Sequence, residues 1–450
     1  MLVQFRDAHL SLWQSSVDEV LHREARQAAS APSQWIPRTS LDDPGTAGDL
    51  MREATRHCEA IFNRHPIAKL VESAKQIEAR LKLTSSGSLR DQLCYCSIAY
   101  LKLAEAIIDG NATAEAQYRA ELAKFGNCDP RYATAMANYI NYFRLAHKPI
   151  PYRSWKILSD YVDVLPDSCT IALIGDWGTG QQPARTVLDR VAARNPAIVI
   201  HMGDIYYSGT QYEADNYFLA LFRTVFESAG RPMPLIYTLS GNHDMYSGGL
   251  GYYWLLDQIG QKASFFCLRN NFWNFVGVDT GVNDYDPFSV NTSTPSLKDT
   301  ELTWLHDKID TAGNARTVLL SHHPLFSVYE RIDSQAINGR FDTQMKDLLP
   351  KITAWYWAHE HNLVMYENFQ DIHARCIGHG AFPVAIGELG APHPDVPFIS
   401  NVHLGQDGDF YQHGYVIIEL ANEHAAADYY ACDSSGKEQK LYSEQLEQLP

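Results

Sequence analysis

From residue 170 onward, short apolar runs repeatedly end in the same kind of polar residue. That recurrence constrains the fold more than any other feature of the chain. "TIALIGD" ends at Asp176 and "AIVIHMGD" at Asp204. "PLIYTLSGNHD" delivers Asn242 and His243, "ARTVLLSHHP" delivers His322 and His323, and "ITAWYWAHEH" delivers His359 and His361. Apolar runs of this length, punctuated by Gly, Asp and Asn, read as buried strands. Helical patterns such as "QPARTVLDRVAARN" lie between them. Strand–helix–strand succession predicts an α/β fold with parallel pairing. Functional residues of such sheets gather beyond the carboxyl ends of the strands. The five segments are therefore expected to bring Asp, Asp, Asn and several His to one place. Late in the chain, "GYVIIELAN" and "AAADYYACD" read as consecutive strands and predict an antiparallel portion.

Before residue 160 the pattern differs. Ile67, Leu70, Val71, Ala74, Ile77 and Leu81 recur at helical spacing, as do Ile98, Leu101, Ala104 and Ile108. Breaker-rich pieces such as "TSSGS" and "DGNAT" separate these stretches. The division expected is an all-helical module over residues 1–165 and an α/β domain over residues 166–450. The module carries no catalytic motif, and a protein partner is the role its helices suggest.

The formal net charge is −16, which argues against a general nucleic-acid or acidic-membrane surface, since both require clustered Lys and Arg. No apolar run approaches the length that spans a bilayer. The first residues lack the basic and apolar regions of a secretory signal. The eight cysteines include no C-x-x-C pair, so thiols in a reducing cytoplasm are expected rather than structural zinc or disulfides.

The mixture of candidate ligands is informative. Structural zinc favours Cys and His, and calcium favours oxygen alone. Carboxylate, amide oxygen and imidazole together suit Fe, Mn or Zn with positions left open for substrate. Six or more ligands exceed the needs of one catalytic ion. They point to two metal ions roughly 3.5–4 Å apart, an arrangement suited to in-line displacement at phosphorus.

The order of these segments resembles GD-x-G, GD-x-x-Y, GNH-D/E, H-x-P and GH-x-H, the signature of the calcineurin-like metallophosphoesterases. "GDWG" and "GDIYY" are similar to the purple acid phosphatase branch in particular. The resemblance covers roughly residues 165–450. It implies a two-sheet sandwich flanked by helices, with ligands on loops at one edge. It implies Asp176 and His361 on the first metal, Asp204 bridging both, and Asn242, His322 and His359 on the second. It places His243 outside the metal shell, near the leaving group, as general acid or oxyanion partner. It leaves His323 as a substrate contact.

Many relatives carry a first-metal His two positions after the first Asp. Here that position is Gly178. The purple acid phosphatase pattern implies that a Tyr three residues after the bridging Asp takes that ligand's place. By that count it is Tyr207 and not Tyr206, with Fe(III) in the first site and Fe, Mn or Zn in the second. The activity implied is hydrolysis of a small phosphate monoester by a metal-bound hydroxide. Phosphodiester hydrolysis, cyclic nucleotides included, is the alternative on the same core, and a metal-binding scaffold without turnover is the non-enzymatic one. Two departures stand out. Ala358 replaces the Gly that opens the last motif, and Glu360 lies between two ligands. "CIGHGAFP" offers His379 as a pocket candidate. Trp177, Trp355 and Trp357 are expected in the core.

Overall fold

The computed structural model describes residues 106, 111–114, 116–117 and 150–449, apart from 207–208, 247, 286–293, 333, 371, 385, 388 and 409. Most of the expected helical module, through residue 149, lies outside the described residues. Residues from Pro149 to the C-terminus make up one compact unit. Residues 150–165, which the sequence assigned to the helical module, belong to this unit. They hold no regular helix and end in strand β1 (Val162–Val164). The reason is visible in their partners. Tyr152 donates to Glu301, the Trp155 indole donates to the Thr300 carbonyl, and the Trp304 indole donates to the Asp160 carbonyl.

Two sheets make the body of the unit. The first contains β1, β5 (Phe266–Arg269), β6 (Trp273–Gly277), β7 (Arg316–Leu320), β8 (Ile352–Trp357), β10 (Ala374–Ile377) and β9 (Leu363–Met365), in that spatial order. The second runs β15 (Glu438–Gln445), β14 (His424–Cys432), β13 (His413–Ala421), β2 (Ser168–Ile174), β3 (Ile198–His201) and β4 (Leu235–Thr238). A small ribbon, β11 (Gln406–Asp407) with β12 (Phe410–Tyr411), stands apart. Strands β2, β3 and β4 are parallel to one another, as are β6, β7 and β8. The late hairpin β13–β14 is antiparallel, as its sequence predicts.

Alternation along the strands sorts side chains between three layers. Ile171 and Leu173 of β2 face the inter-sheet core with Ile198, Ile200, Phe275, Val318, Leu320, Ala354 and Tyr356. Ala172 and Ile174 face the other way, beneath helices α1 (Gln182–Arg194) and α2 (Ala220–Ser228). On the far side Leu319, Trp355 and Trp357 pack under α4 (Asp299–Asp310), which follows α3 (Leu250–Ile259). Trp177, Trp355 and Trp357 are all fully buried. The result is the helix-flanked two-sheet sandwich that the motif order implies. The parallel strands of each sheet carry their carboxyl ends to one rim, which is where the polar motifs fall.

Candidate metal centre

Asp176 lies two residues beyond β2, Asp204 three beyond β3, His322 two beyond β7, and His359 and His361 just beyond β8. Asn242 opens a single helical turn, Asn242–Met245, after β4. Four of these residues have left-handed backbone: Asp176 (φ 52°), Asp204 (φ 72°), His359 (φ 70°) and His361 (φ 52°). Such conformations cost about 1–3 kcal/mol each and persist where surrounding structure over-determines them. Their concentration in one cluster marks the cluster as built for something other than stability.

Asp176, Asp204 and His322 present ligand atoms within 4.8 Å of one another, and so do His322, His323 and His359. His361 Nε2 lies 3.3 Å from Asp176 Oδ1, and His322 Nε2 lies 3.4 Å from Asp204 Oδ2. His359 Nδ1 is 3.2 Å from His322 Nε2. The Met202 carbonyl lies 2.9 Å from His322 Nδ1 and accepts its proton, which leaves Nε2 as the nitrogen that faces Asp204 and can exchange a proton for a metal. Asn242 is buried with its Oδ1 unpartnered, while its Nδ2 donates to the Tyr246 hydroxyl. Residues here approach closely. A Cβ on Gly241 would fall 2.0 Å from Asp204 Oδ1, so only glycine permits that contact.

The electrostatics favour positive charge at this spot. Burial alone would raise the Asp204 carboxyl, but the imidazoles of His322 and His243 outweigh it and hold it well below the ordinary range. Burial works against a charged His322, yet Asp204 holds its imidazole up to about 9. Asp244 behaves oppositely, since burial and then the Asp204 charge push it up to about 8.

Tyr207 lies outside the described residues. Tyr206 is fully buried, and its hydroxyl sits 2.7 Å from Asp176 Oδ1, 3.2 Å from Asp204 Oδ2 and 2.8 Å from His361 Nε2. Gly178 explains why no His occupies its position. A Cβ there would stand 2.8 Å from Ile205 Cα and 2.9 Å from the Asp204 carbonyl.

His243 is buried beside the cluster. Its N–H donates to Asp204 Oδ1, its Nε2 lies 4.0 Å from Asp204 Oδ2, and its ring stacks obliquely on Tyr206. His323 is also buried. Its Nδ1 meets Thr280 Oγ1 at 2.8 Å, its Nε2 faces Asp284 at 3.1 Å, and its ring lies against His359. Both His323 nitrogens therefore have protein neighbours. Glu360 points inward to Ser327 Oγ, Trp357 Nε1 and Tyr366, away from the ligands. Ala358 is absent from the left-handed positions, so its Cβ carries no backbone penalty. His379 is buried against the Tyr430 carbonyl, so "CIGHGAFP" serves mainly as backing. Its Ala381 and Phe382 amides donate to the Asp176 carbonyl.

Three contributors had little or no sequence signal. Asp244 accepts from the amides of Asp204, Ile205 and Gly241, fastening two ligand loops together. Its place in "GNHD" was the only hint. The Phe382 ring stacks on His361 at 4.1 Å between centroids and also packs on Tyr206. Glu330 Oε2 lies 3.7 Å from His359 Nε2.

Residues 169–363 match the family described as calcineurin-like phosphoesterase. The human protein named tartrate-resistant acid phosphatase type 5 is 24% identical over 307 residues, which is 61% of this chain and 91% of that protein. Among solved structures, GAP50, the anchor in the inner membrane complex of Plasmodium, is 15% identical with a TM-score of 0.42, covering 62% of this chain and 88% of that one. A dimetal phosphatase from Danio rerio is 11% identical with a TM-score of 0.40, covering 60% and 98%.

Proposed function

We propose, from the match of residues 169–363 to the calcineurin-like phosphoesterases and from motifs similar to the purple acid phosphatase branch, that this chain hydrolyses small phosphate monoesters at a two-metal site. The observation that carries the reading is the buried convergence of Asp176, Asp204 and His322 beside the unpartnered Asn242 Oδ1. Mixed carboxylate, amide and imidazole donors suit Fe, Mn or Zn. In the proposed assignment Asp176, Asp204 and His361 would hold the first ion, with the Tyr206 phenol as a fourth protein ligand. Asp204, Asn242, His322 and His359 would hold the second. A phenol oxygen among two carboxylates supports Fe(III) in the first site.

Bound there, the ions would supply the charge that activates water as the nucleophile and neutralises the phosphoryl oxygens. The remaining work falls to side chains. Met202 fixes the His322 tautomer through its carbonyl, so that Nε2 is presented for coordination. Asp244 holds the 204 and 241 loops at a set spacing. His243 stands 4.0 Å from the Asp204 carboxylate, where it could protonate a leaving oxygen. Glu330, beside His359, adds a further, partly exposed carboxyl to the site. The free thiols of Cys169, Cys267, Cys376 and Cys432 support the proposed cytoplasmic setting.

The test compares a chromogenic phosphomonoester with a chromogenic phosphodiester, using protein loaded with Fe, Mn or Zn and Asp204→Asn as control. Monoester turnover that the control abolishes is expected. Preferential diester turnover would move the assignment to a phosphodiesterase. Two bound ions without turnover of either ester would favour the scaffold reading. Iron loading followed by oxidation adds an independent readout, since a visible charge-transfer band should vanish in Tyr206→Phe and persist in Tyr207→Phe. The opposite pattern would return the ligand to Tyr207.

A further inference from the structure

His359 Nδ1 lies 3.2 Å from His322 Nε2, so Nδ1 is the nitrogen on the side of the other ligands and Nε2 faces outward. Glu330 Oε2 stands 3.7 Å from that outward nitrogen. On the two-metal reading above, we propose that Glu330 is the positioning residue of His359. Its carboxylate accepts from Nε2–H, fixes the tautomer that leaves Nδ1 open, and holds the ring toward the second ion.

His359 needs such a partner more than the other two histidine ligands do. Its side chain is 25% exposed, against 0% for His322 and 6% for His361. The Met202 carbonyl fixes the His322 ring, and Phe382 and Tyr206 pack on the His361 ring. The His359 ring rests against the imidazoles of His322 and His323. Its backbone is anchored, with φ 70° and an amide that donates to Asp176 Oδ2 at 2.7 Å. That anchor does not choose which ring nitrogen faces the ion. A histidine that binds metal through one nitrogen commonly donates from the other to a carboxylate, and that partner sets both tautomer and ring orientation. A separation of 3.7 Å is an ion-pair distance and longer than a hydrogen bond. Both side chains are partly exposed, so a small rotation closes the gap without unpacking the core.

The backbone beneath Glu330 is tied to the turn that carries His359. Ser327 Oγ accepts from the amides of Tyr329 at 3.0 Å and Glu330 at 2.7 Å, and donates to Glu360 Oε2 at 2.7 Å. Glu360 lies between His359 and His361, and its Oε1 accepts from the Trp357 indole and the Tyr366 hydroxyl. Hydrogen bonds through Ser327 and Glu360 therefore set where the Glu330 carboxylate stands relative to the His359 ring.

The test titrates Zn(II) calorimetrically into the metal-free full chain, wild type, Glu330→Ala and Glu330→Gln. His359→Ala marks the binding step that belongs to the second ion. Glu330→Ala should weaken that step about 10–100-fold and leave the other step unchanged. The amide oxygen of Glu330→Gln still accepts from Nε2–H, with about half the strength of a carboxylate, so it should recover about half of the loss on a logarithmic scale. An unchanged second step in Glu330→Ala overturns the assignment. Equal weakening of both steps also overturns it, because that is general loosening of the site. A Glu330→Gln variant as weak as Glu330→Ala overturns it too, because charge and not orientation would then be at work. Two bound ions and the Glu330→Ala loss, without turnover of any ester, support the assignment and sink the catalytic reading. Uptake of fewer than two ions by wild type overturns both.

Discussion

Replacing Asp244 by Asn isolates what holds the ligand loops together, because it changes no proposed ligand. Asp244 Oδ2 accepts from the amides of Asp204 at 2.9 Å and Gly241 at 2.8 Å, and Oδ1 accepts from Ile205 at 3.1 Å. An Asn side chain has one acceptor oxygen. Its best arrangement keeps the Asp204 and Gly241 amides on that oxygen and turns its NH₂ toward the Ile205 N–H, donor against donor. Above the pKa of about 8, where the Asp244 carboxyl is ionised and both oxygens accept, one buried amide is then left unsatisfied, at a cost of about 2 kcal/mol. That corresponds to roughly a thirtyfold rise in local opening. Hydrogen–deuterium exchange read on peptides covering residues 201–212 and 239–246 measures this directly. Protection should drop about thirtyfold there and stay unchanged in β13 and β14 on the same sheet. Exchange in the two loop peptides identical to wild type would refute the argument that Asp244 fastens them.

Other perturbations follow from the same geometry. Gly178→Ala pushes a Cβ to 2.8 Å from Ile205 Cα, so the melting temperature should fall, by the equivalent of about 1–3 kcal/mol; an unchanged melting temperature would show that the contact relaxes freely. Glu301 is buried, and burial followed by the Asp279 charge holds its pKa well above the 4.5 of an ordinary Glu. In the window just above pH 4.5 the unfolded chain has then released a proton that the folded chain retains, so stability falls as pH rises. Glu301→Gln keeps an oxygen for the Asp279 amide and an NH₂ for the Tyr152 hydroxyl, so urea titrations from pH 4.5 to 7 should give a flatter profile than wild type, and an equally steep one would count against this assignment. Saturating Zn or Mn should raise the melting temperature, by the equivalent of about 2.7 kcal/mol at one hundred times the dissociation constant. The shift should shrink in His361→Ala, whereas a full shift in that variant would remove His361 from the ligand set.

How much of this was legible in the sequence depends on whether a residue's role follows from its place on a strand. Asp176, Asp204, Asn242, His322, His359 and His361 all follow strand ends, and parallel strands of a sandwich must deliver their carboxyl ends to one rim. Order along the chain was therefore enough to gather them. Phe382 was not legible, because it reaches His361 from a loop after β10 with no spacing relation to any motif. The Tyr152–Glu301 contact spans 149 positions, and nothing near either residue announces it. The start of the unit was misplaced for a related reason. Residues 150–165 have no strand-like run longer than Val162–Val164, and their anchoring comes from Tyr152, Trp155 and Asp160 contacts with α4 and its neighbours.

How Tyr206 reaches the cluster follows from one strained turn. Here Asp204 is left-handed, and Ile205 pairs with Gly178 as an isolated bridge, with the Tyr206 amide donating to the Gly178 carbonyl at 2.9 Å. That bridge pins the chain to the 176 loop immediately after the turn, so the next side chain, Tyr206, swings over Asp176 and His361. The same bridge is possible only because residue 178 has no side chain to keep Ile205 away. Losing the imidazole at 178 and bringing a phenol to Asp176 are thus two consequences of one packing contact. A His restored at 178 would not add a ligand to this arrangement, because it would open the bridge that places the phenol. Gly178→His should therefore weaken any charge-transfer band instead of leaving it unchanged, and a band of full intensity in that variant would show that the bridge and the phenol are independent.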